Sequence, residues 1–287
     1  MKYYYRFSGE IPSKLGKTLP IQASYVEMLQ KEMDIQLTKD YLAVLNMPSL
    51  ISSYDYVCDD AWLETFRKKA RLPTPQKYLG NHRLGFYYQW LWQQLIIHHP
   101  DYVLIEEEVQ LHWNKQTVGS IDFLVKNLLT DDIEHWEVAI KFYLAFDNHW
   151  PGPNAKDNLD KKTARMIEHQ LTLSEHDAFI QTFNFIPAKR RLIMQGRLFH
   201  AWPKPQQGST ININPSAHTG LWCYQSDAED MILKTLTKKQ WIAPPAFVEL
   251  EEYLDPSQIT VPTQAIDSKN KVWFVVPNHW PKHNSEL

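Results

Sequence analysis

The 287-residue sequence has little of several features that mark special classes of protein. Its two cysteines, Cys58 and Cys223, lie far apart and match no metal-binding spacing, which excludes a disulfide framework and a zinc ribbon. No apolar run approaches the roughly 20 residues that a transmembrane helix needs. The first residues, Met1 to Arg6, lack the apolar core of a secretory signal. We therefore expect a reduced, cytoplasmic protein with no membrane partner.

Neither sign of charge is in large excess, because 30 Lys and Arg residues nearly balance 33 Asp and Glu residues. A formal net charge of −3 argues against a protein that coats nucleic acid through bulk basicity, although it leaves room for a local basic groove. Acidic residues dominate between Glu106 and Glu137, and basic residues dominate after Trp150. This pattern fits a cation-dependent site acting on a polyanion, and it fits an ordinary solvated surface about as well.

Common catalytic motifs are missing as well. The sequence has no glycine-rich phosphate loop and no Gly-x-Ser-x-Gly elbow. Neither cysteine lies in a nucleophile motif, and the histidines show no paired zinc spacing. These classes of catalysis therefore find little support in the sequence.

The apolar pattern predicts an α/β protein with a mixed sheet flanked by helices. Helical periodicity is clearest over residues 80–99, where one broad apolar face recurs. The elements predicted after it are strands at 102–112, 117–126 and 133–145, a helix at 155–174 and a strand at 191–199. Strands joined by hairpin turns and then followed by a crossover helix imply a mixed sheet.

The chain divides into three predicted segments: an N-terminal helical layer over 1–75, an α/β core over 76–200 and a C-terminal α+β extension over 201–287. The first segment is predicted to contain two helices before Pro48, one over 20–34 and one that Thr38 caps. The elements predicted in the extension are strands at 220–225 and 271–277 and a helix near 227–239.

Ionisable residues interrupt two otherwise apolar strands near the centre of the chain. Glu137, Ala139 and Lys141 fall at alternate positions of one strand, so their side chains share a face. Asp122 lies on the preceding strand. Burial of such charges is unfavourable unless they pair or bind a metal. The pattern therefore indicates either a two-carboxylate metal site with a lysine beside it, or a buried ion-pair cluster without a catalytic role.

The order of a helix, three strands, a helix and a strand, with Asp122 on the second strand and Glu137 and Lys141 on the third, resembles the restriction-endonuclease-like PD-(D/E)XK nuclease superfamily. The amino-acid sequence itself is more similar still to DUF1853, a bacterial family of unknown function. The stretches that carry this second resemblance include Gly119 to Leu124, His135 to Glu137, Lys141 to Leu144, Gly152 to Asn154, Asp157 to Lys161, and Gln170-Leu171.

The superfamily resemblance implies a restriction-endonuclease-like core with the element order αβββαβ. It implies that Asp122 and Glu137 hold Mg²⁺ or Mn²⁺, and that Lys141 positions a water or stabilises developing negative charge. Gln89 lies near the position where many such nucleases have a glutamate that binds the metal. Its neutral amide oxygen would bind the metal instead of a carboxylate. The further residues to which the resemblance gives roles are Gln170, which would order the site, and Lys161, Lys162 and Arg165, which would contact phosphates.

One departure from the superfamily pattern bears on activity. Ala139 occupies the usual lysine position, and Lys141 lies two residues on, about 6–7 Å further along the strand. We expect a metal-dependent phosphodiesterase that acts on DNA or RNA, with a nucleic acid as its partner. The alternative expectations are a catalytically inactive, nuclease-like protein that binds nucleic acid, and a protein-interaction module that uses a tryptophan-rich C-terminal surface.

Overall fold

The computed structural model describes residues 20–208 and 211–281. The α-helices are α1 (Pro20–Asn46), α2 (Asp60–Lys69), α3 (Leu84–Ile97), α4 (Leu159–Arg165) and α5 (Asp177–Phe183). The strands are β1 (Tyr102–Trp113), β2 (Gln116–Asn127), β3 (Ile133–Leu144), β4 (Lys189–Ala201), β5 (Thr219–Tyr224), β6 (Leu233–Thr235), β7 (Thr263–Asp267) and β8 (Val272–Val276). Within the described ranges these strands form one sheet in the order β1-β2-β3-β4-β5-β8-β7-β6. No helix of those ranges is long and apolar enough to cross a membrane.

Helices cover both faces of this sheet, because strands that are buried on both sides need an apolar layer on each. On one face, α2 and α3 place Phe66 and Tyr88 in a core cluster with Trp136 of β3. On the opposite face, Leu159 of α4 packs in a second cluster with Tyr143 of β3. This arrangement confirms the predicted α/β class and the mixed sheet flanked by helices.

The predicted order of a helix, three strands, a helix and a strand is observed from α3 to β4. Strands β1, β2 and β3 are antiparallel neighbours, and Asn114 and Lys115 form the β1–β2 turn with the positive φ angles that a tight hairpin favours. Strand β4 is parallel to β3, because the chain crosses over through α4 and α5. Strands β5 to β8 extend the same sheet beyond β4.

Two predicted elements near the termini are wrong. A single helix, α1, replaces the two helices predicted before Pro48. Thr38, taken as a cap, instead donates its hydroxyl to the carbonyl of Asp34 at 2.8 Å within the helix. The helix predicted near 227–239 is also wrong, because that stretch contains β6, which pairs with β7. Residues 1–19 of the predicted helical layer lie outside the described residues.

The helix predicted over 155–174 is shorter and less regular than expected. Helix α4 begins at Leu159, after Asn158 caps it by accepting the Lys161 N–H at 2.8 Å. A π-helical turn, Met166–Gln170, follows it directly. Such a turn changes the angular phase of the side chains that come after it, and π-helical turns are frequent at functional sites.

Helix α3 is fixed to the sheet by a buried polar contact. The Gln195 side-chain carbonyl of β4 accepts the Tyr88 hydroxyl at 2.6 Å and the Trp92 indole N–H at 3.3 Å. Its amide group donates to the Val44 carbonyl at 3.0 Å, at the end of α1. These bonds hold the middle of α3 beside the sheet, and the first turns of the helix form one wall of the cleft described below.

We expect Asp40→Asn to remove a pH-dependent loss of stability. Asp40 is 2 % exposed and accepts hydrogen bonds from the Tyr87 hydroxyl at 2.6 Å and the Gln36 amide at 2.9 Å. Burial raises its pKa to about 6. The native state therefore holds this proton more tightly than the unfolded state, and stability falls as the pH rises from about 4, the ordinary pKa of an aspartate, through about 6.

The expected loss from this one group is roughly 3 kcal/mol, from its change in pKa. Urea unfolding of both proteins between pH 3.5 and 7.5 measures it, because the difference between their free energies of unfolding isolates the Asp40 contribution. Parallel pH profiles for wild type and Asp40→Asn would show that this carboxyl does not titrate as described.

Candidate active site

Strands β2 and β3 part at the centre of the molecule and leave a cleft between them. Their pairing runs from Lys126 and Ile133 to Phe123 and Trp136 and then stops. A cavity of about 590 Å³ opens beyond that point. Its walls come from α3, β1, β2, β3 and α4 with the π-helical turn, and residues that line it include Gln89, Gln110, Asp122, Lys141, Lys162 and Gln170.

Asp122 and Glu137 bridge the two strands at the point where the ladder ends. The Glu137 carboxyl accepts the Asp122 backbone N–H at Oε1, at 3.2 Å. In return, Oδ2 of Asp122 accepts the backbone N–H of Val138 at 2.9 Å. Glu137 is fully buried, whereas Asp122 is half-buried and lines the cavity. Each carboxyl thus replaces a backbone acceptor of the other strand, and the two acidic groups are brought together.

Three further side chains hold Glu137 in place. Gln170 donates its amide to Oε2 at 3.0 Å, and His135 Nε2 lies 3.0 Å from Oε1. His135 Nδ1 lies 2.9 Å from the Ser174 hydroxyl. Because burial lowers the pKa of His135 to about 3, the ring is neutral. When Glu137 is ionised, as a metal ligand would be, Nε2 donates to Glu137 and Nδ1 accepts the Ser174 hydroxyl.

The two carboxyl groups lie where ionisation is unfavourable. Burial raises the pKa of Glu137 to about 8. Burial, and then the charge of Glu137, raise the pKa of Asp122 well above its ordinary value. Like charges that must share a site favour either proton retention or the binding of a cation between them.

The structure brings Lys162, rather than Lys141, into contact with this network. The Lys162 ammonium donates to the Gln170 side-chain carbonyl at 3.3 Å, and its charge acts to lower the pKa of both Asp122 and Glu137. Lys141 lines the same cavity from β3, but the charged groups that act on it are Lys162 and Asp157. Among the described residues no salt bridge joins Lys141 to either carboxyl.

The other residues singled out from the sequence are spread around the cleft. Gln89 of α3 lines the cavity. Lys161 and Arg165 of α4 are exposed to solvent. Burial, and then the charge of Arg165, lower the pKa of Lys162 from its ordinary value, so this lysine carries its charge at some free-energy cost.

The donor set fits a divalent ion such as Mg²⁺ only if other ligands complete its shell. Within the described parts of the chain, no group of three or more His, Cys, Asp and Glu side chains could hold a metal ion. Asp122 and Glu137 supply carboxyl oxygens, and Gln89 lines the same cavity as Asp122. Mg²⁺ commonly binds through one or two carboxylates, with waters and substrate phosphates as its remaining ligands, so Asp122 on the wall of a polar cavity, with the buried carboxyl of Glu137 beside it, is chemically compatible with it.

Sequence reasoning missed Ser174, which supports His135, and it gave Lys162 only a phosphate-contacting role. Ser174 lies in a short 3-10 turn after the π-helical turn, and no motif marks it. His135 carried a usable signal, because it stands two residues before Glu137 and therefore shares its strand face.

Fold and cleft together define an α/β protein with a carboxyl pair held between diverging strands of a mixed sheet. Comparison of the chain with family models gives a match to Domain of unknown function (DUF1853) over residues 23–283. The chain therefore belongs to the DUF1853 family, which confirms the family resemblance seen in the sequence. No curated protein and no solved structure matches it.

Proposed function

We propose that this protein is a Mg²⁺- or Mn²⁺-dependent phosphodiesterase that acts on DNA or RNA. The observation that supports it most strongly is the pairing of Asp122 and Glu137 at the end of the β2–β3 ladder, where Asp122 lines a polar cavity together with Lys141 and Lys162. The same element order suggests a restriction-endonuclease-like core, in which carboxyl groups at this position serve a metal ion.

In this proposal each residue of the cleft has a defined task. Asp122 and Glu137 hold the ion, and a divalent ion supplies Lewis acidity that activates water and neutralises phosphate charge. His135 and Gln170 keep Glu137 in one orientation through hydrogen bonds at both of its oxygens. Lys162 faces the cavity with a positive charge, which stabilises the negative charge that develops on the phosphate.

The basic residues on α4 extend this site toward a polyanion. Lys161 and Arg165 are exposed on the same helix that carries Lys162, so they can reach phosphates next to the reacting one. Salt would weaken such contacts, because counterions compete for the phosphates.

A second candidate is a catalytically inactive relative that binds nucleic acid. The observation that favours it is that both Glu137 oxygens already accept or face hydrogen bonds from Gln170, His135 and the Asp122 N–H. A carboxyl saturated in this way can serve as a structural link between β2 and β3. This candidate predicts binding without cleavage, and binding that is indifferent to Glu137→Gln.

A cleavage assay separates the two candidates. Purified protein is incubated with linear duplex, nicked duplex, single-stranded DNA and RNA, each with Mn²⁺, Mg²⁺ or a chelator. The proposal predicts cleavage of at least one substrate with Mn²⁺ or Mg²⁺ and none with the chelator. Well-folded protein that binds these substrates and cleaves none of them would favour the inactive relative.

We expect Ser174→Ala to lower the cleavage rate about tenfold, as loss of an outer hydrogen-bond partner commonly does at metal sites. The change removes the hydroxyl that fixes the tautomer and orientation of His135, and Glu137 then loses a well-directed donor. Single-turnover rates with Mn²⁺ measure the effect. Thr172→Ala, a hydroxyl loss in the same segment that bonds only local carbonyls, should leave the rate unchanged. Equal losses in both variants would argue against a role for the Ser174–His135 pair.

A further inference from the structure

A second cavity, of about 840 Å³, adjoins the candidate active site along β3. The two cavities share Arg83 and Gly85 at the start of α3 and Ile140 and Lys141 on β3. In the described chain no strand pairs with this edge of β3 after Trp136, and the next backbone contact there is the bond from Leu144 N–H to the Pro151 carbonyl at 2.9 Å. The two cavities therefore form one cleft that follows an open strand edge.

The open edge also supplies backbone donors. The N–H groups of Val138 and Leu144 point to this side of β3, because they bond to Asp122 and Pro151. Alternate residues of a strand direct their N–H groups to the same side, so those of Ile140 and Phe142 point into the cleft as well. Backbone N–H groups are common partners of phosphate oxygens in nucleic-acid complexes.

The lining of the second cavity differs from that of the first. Trp241 and Phe142 pack edge to face at 5.2 Å between ring centres and provide aromatic surface. The Trp241 indole N–H is buried and has no hydrogen-bond partner among the described residues. Asn81, Asn154 and Asp157 add amide and carboxyl groups to the same wall. Aromatic faces with a few polar groups suit a flat heterocycle that also forms hydrogen bonds.

Positive charge marks the boundary of this cavity. Arg83 and Lys238 are exposed at its rim, and Lys141 lies where it meets the first cavity. No salt bridge engages any of the three in the parts of the chain that the structure describes. Arg83 and Lys141 line both cavities and so lie between the aromatic surface and Asp122. This order corresponds to the order of groups in a nucleotide, in which a sugar joins the base to the phosphate.

We propose that the second cavity binds the base of an unpaired nucleotide next to the reacting phosphate, with Lys141 and Arg83 on the intervening backbone. The inference rests on the proposed function for the identity of the first cavity as the phosphate site. A base in a duplex is stacked and paired, so it can enter only after it leaves the helix. The preferred ligand is therefore a single-stranded or frayed segment rather than an intact duplex.

Binding without cleavage tests this directly. A single-stranded oligonucleotide with one 2-aminopurine and a fluorescein label is titrated with protein in the presence of a chelator, so that no metal-dependent reaction occurs. Wild type should bind it at least about tenfold more tightly than the matching duplex and should quench the 2-aminopurine by stacking. Trp241→Ala should weaken binding about tenfold to a hundredfold, which is the range for loss of one base–aromatic stack, and should abolish the quenching.

Matched variants keep the result interpretable. Lys238→Ala removes an exposed rim cation without touching the core, and it should weaken binding several-fold. Trp241→Phe keeps an aromatic ring and should bind nearly as tightly as wild type. That result would show that Trp241→Ala binds weakly because it lacks the ring. Trp202→Ala and Lys204→Ala are the controls, because these exposed residues line neither cavity, and both should bind like wild type.

Equal affinity of wild type, Trp241→Ala and Lys238→Ala would overturn the base subsite, and so would wild type that binds duplex and single strand alike. The proposed function would survive that result if metal-dependent cleavage is observed. Conversely, selective binding of single strands without any cleavage would support the base subsite and contradict the proposed phosphodiesterase activity.

Discussion

Glu137→Gln is expected to lower metal-dependent cleavage by about 1,000-fold or more while the protein stays folded. The change keeps the shape of the side chain and removes the negative charge that would hold the ion. The amide oxygen can still accept from the Asp122 N–H, and the Gln170 side chain can turn to meet the new amide N–H. Since burial already raises the pKa of Glu137 to about 8, a neutral group at this position is compatible with the fold.

Single-turnover cleavage in Mn²⁺, with a thermal melt of each protein, measures this effect. Asp122→Asn should give a loss of similar size, because both carboxyl groups are needed for one ion. Glu106→Gln is the matched control: it removes one charge from an exposed position on β1 outside the cleft and should leave the rate unchanged. A Glu137→Gln protein that melts normally and cleaves within threefold of wild type would contradict the proposed role.

The second large effect is expected at Lys162, where substitution by Met should lower kcat about 100-fold, the scale for loss of one charge-stabilising group in an active site. Lys162 contacts the Gln170–Glu137 network and faces the cavity, so its charge lies where the phosphate would react. Lys141→Met should instead raise KM about tenfold with little change in kcat, because Lys141 lies at the junction of the two cavities.

Steady-state rates over a range of substrate concentrations separate these outcomes. Lys161→Met serves as the matched control, since it is the neighbouring, exposed lysine of α4 and lines neither cavity of the cleft. It should change the salt dependence of binding and leave kcat near that of wild type. If Lys141→Met instead lost most of its kcat and Lys162→Met kept that of wild type, the catalytic lysine would be Lys141 on β3, as the sequence resemblance implies.

The central part of the fold could be predicted from sequence because local patterns and burial agree there. Short apolar runs rich in β-branched and aromatic residues predicted β2 and β3, and helical periodicity predicted α3. The two-residue period of a strand put Glu137 and Lys141 on one face. The sequence did not predict β6, a strand of three residues, Leu233–Thr235. Its hydrogen bonds are made with β7, which lies about 30 residues further along the chain. Single-sequence patterns carry no information about such pairing.

The carboxyl groups of the candidate site could be predicted from the sequence, and the superfamily resemblance pointed to Gln170, which donates to Glu137. Ser174 and the contact of Lys162 with Gln170 could not be predicted. Asp122 and Glu137 stood out because charges in apolar strands are unusual. The position of Lys162 relative to Gln170 depends on the π-helical turn that follows α4, and the sequence gives no signal of where such a turn begins. Trp241 reaches the second cavity only through the packing of a C-terminal segment against Phe142.

The measurement that tests the central claim most directly is a Mn²⁺ titration followed by electron paramagnetic resonance, with thymidine 5′-phosphate present to supply a phosphate ligand. If Asp122 and Glu137 hold a divalent ion in the cleft, wild type should bind Mn²⁺ at a single tight site, and Glu137→Gln and Asp122→Asn should each lose that site. Glu106→Gln should bind as wild type does. Absence of Mn²⁺ binding by wild type, or equal binding by wild type and Glu137→Gln, would contradict the metal site and leave the carboxyl pair as a structural link between β2 and β3.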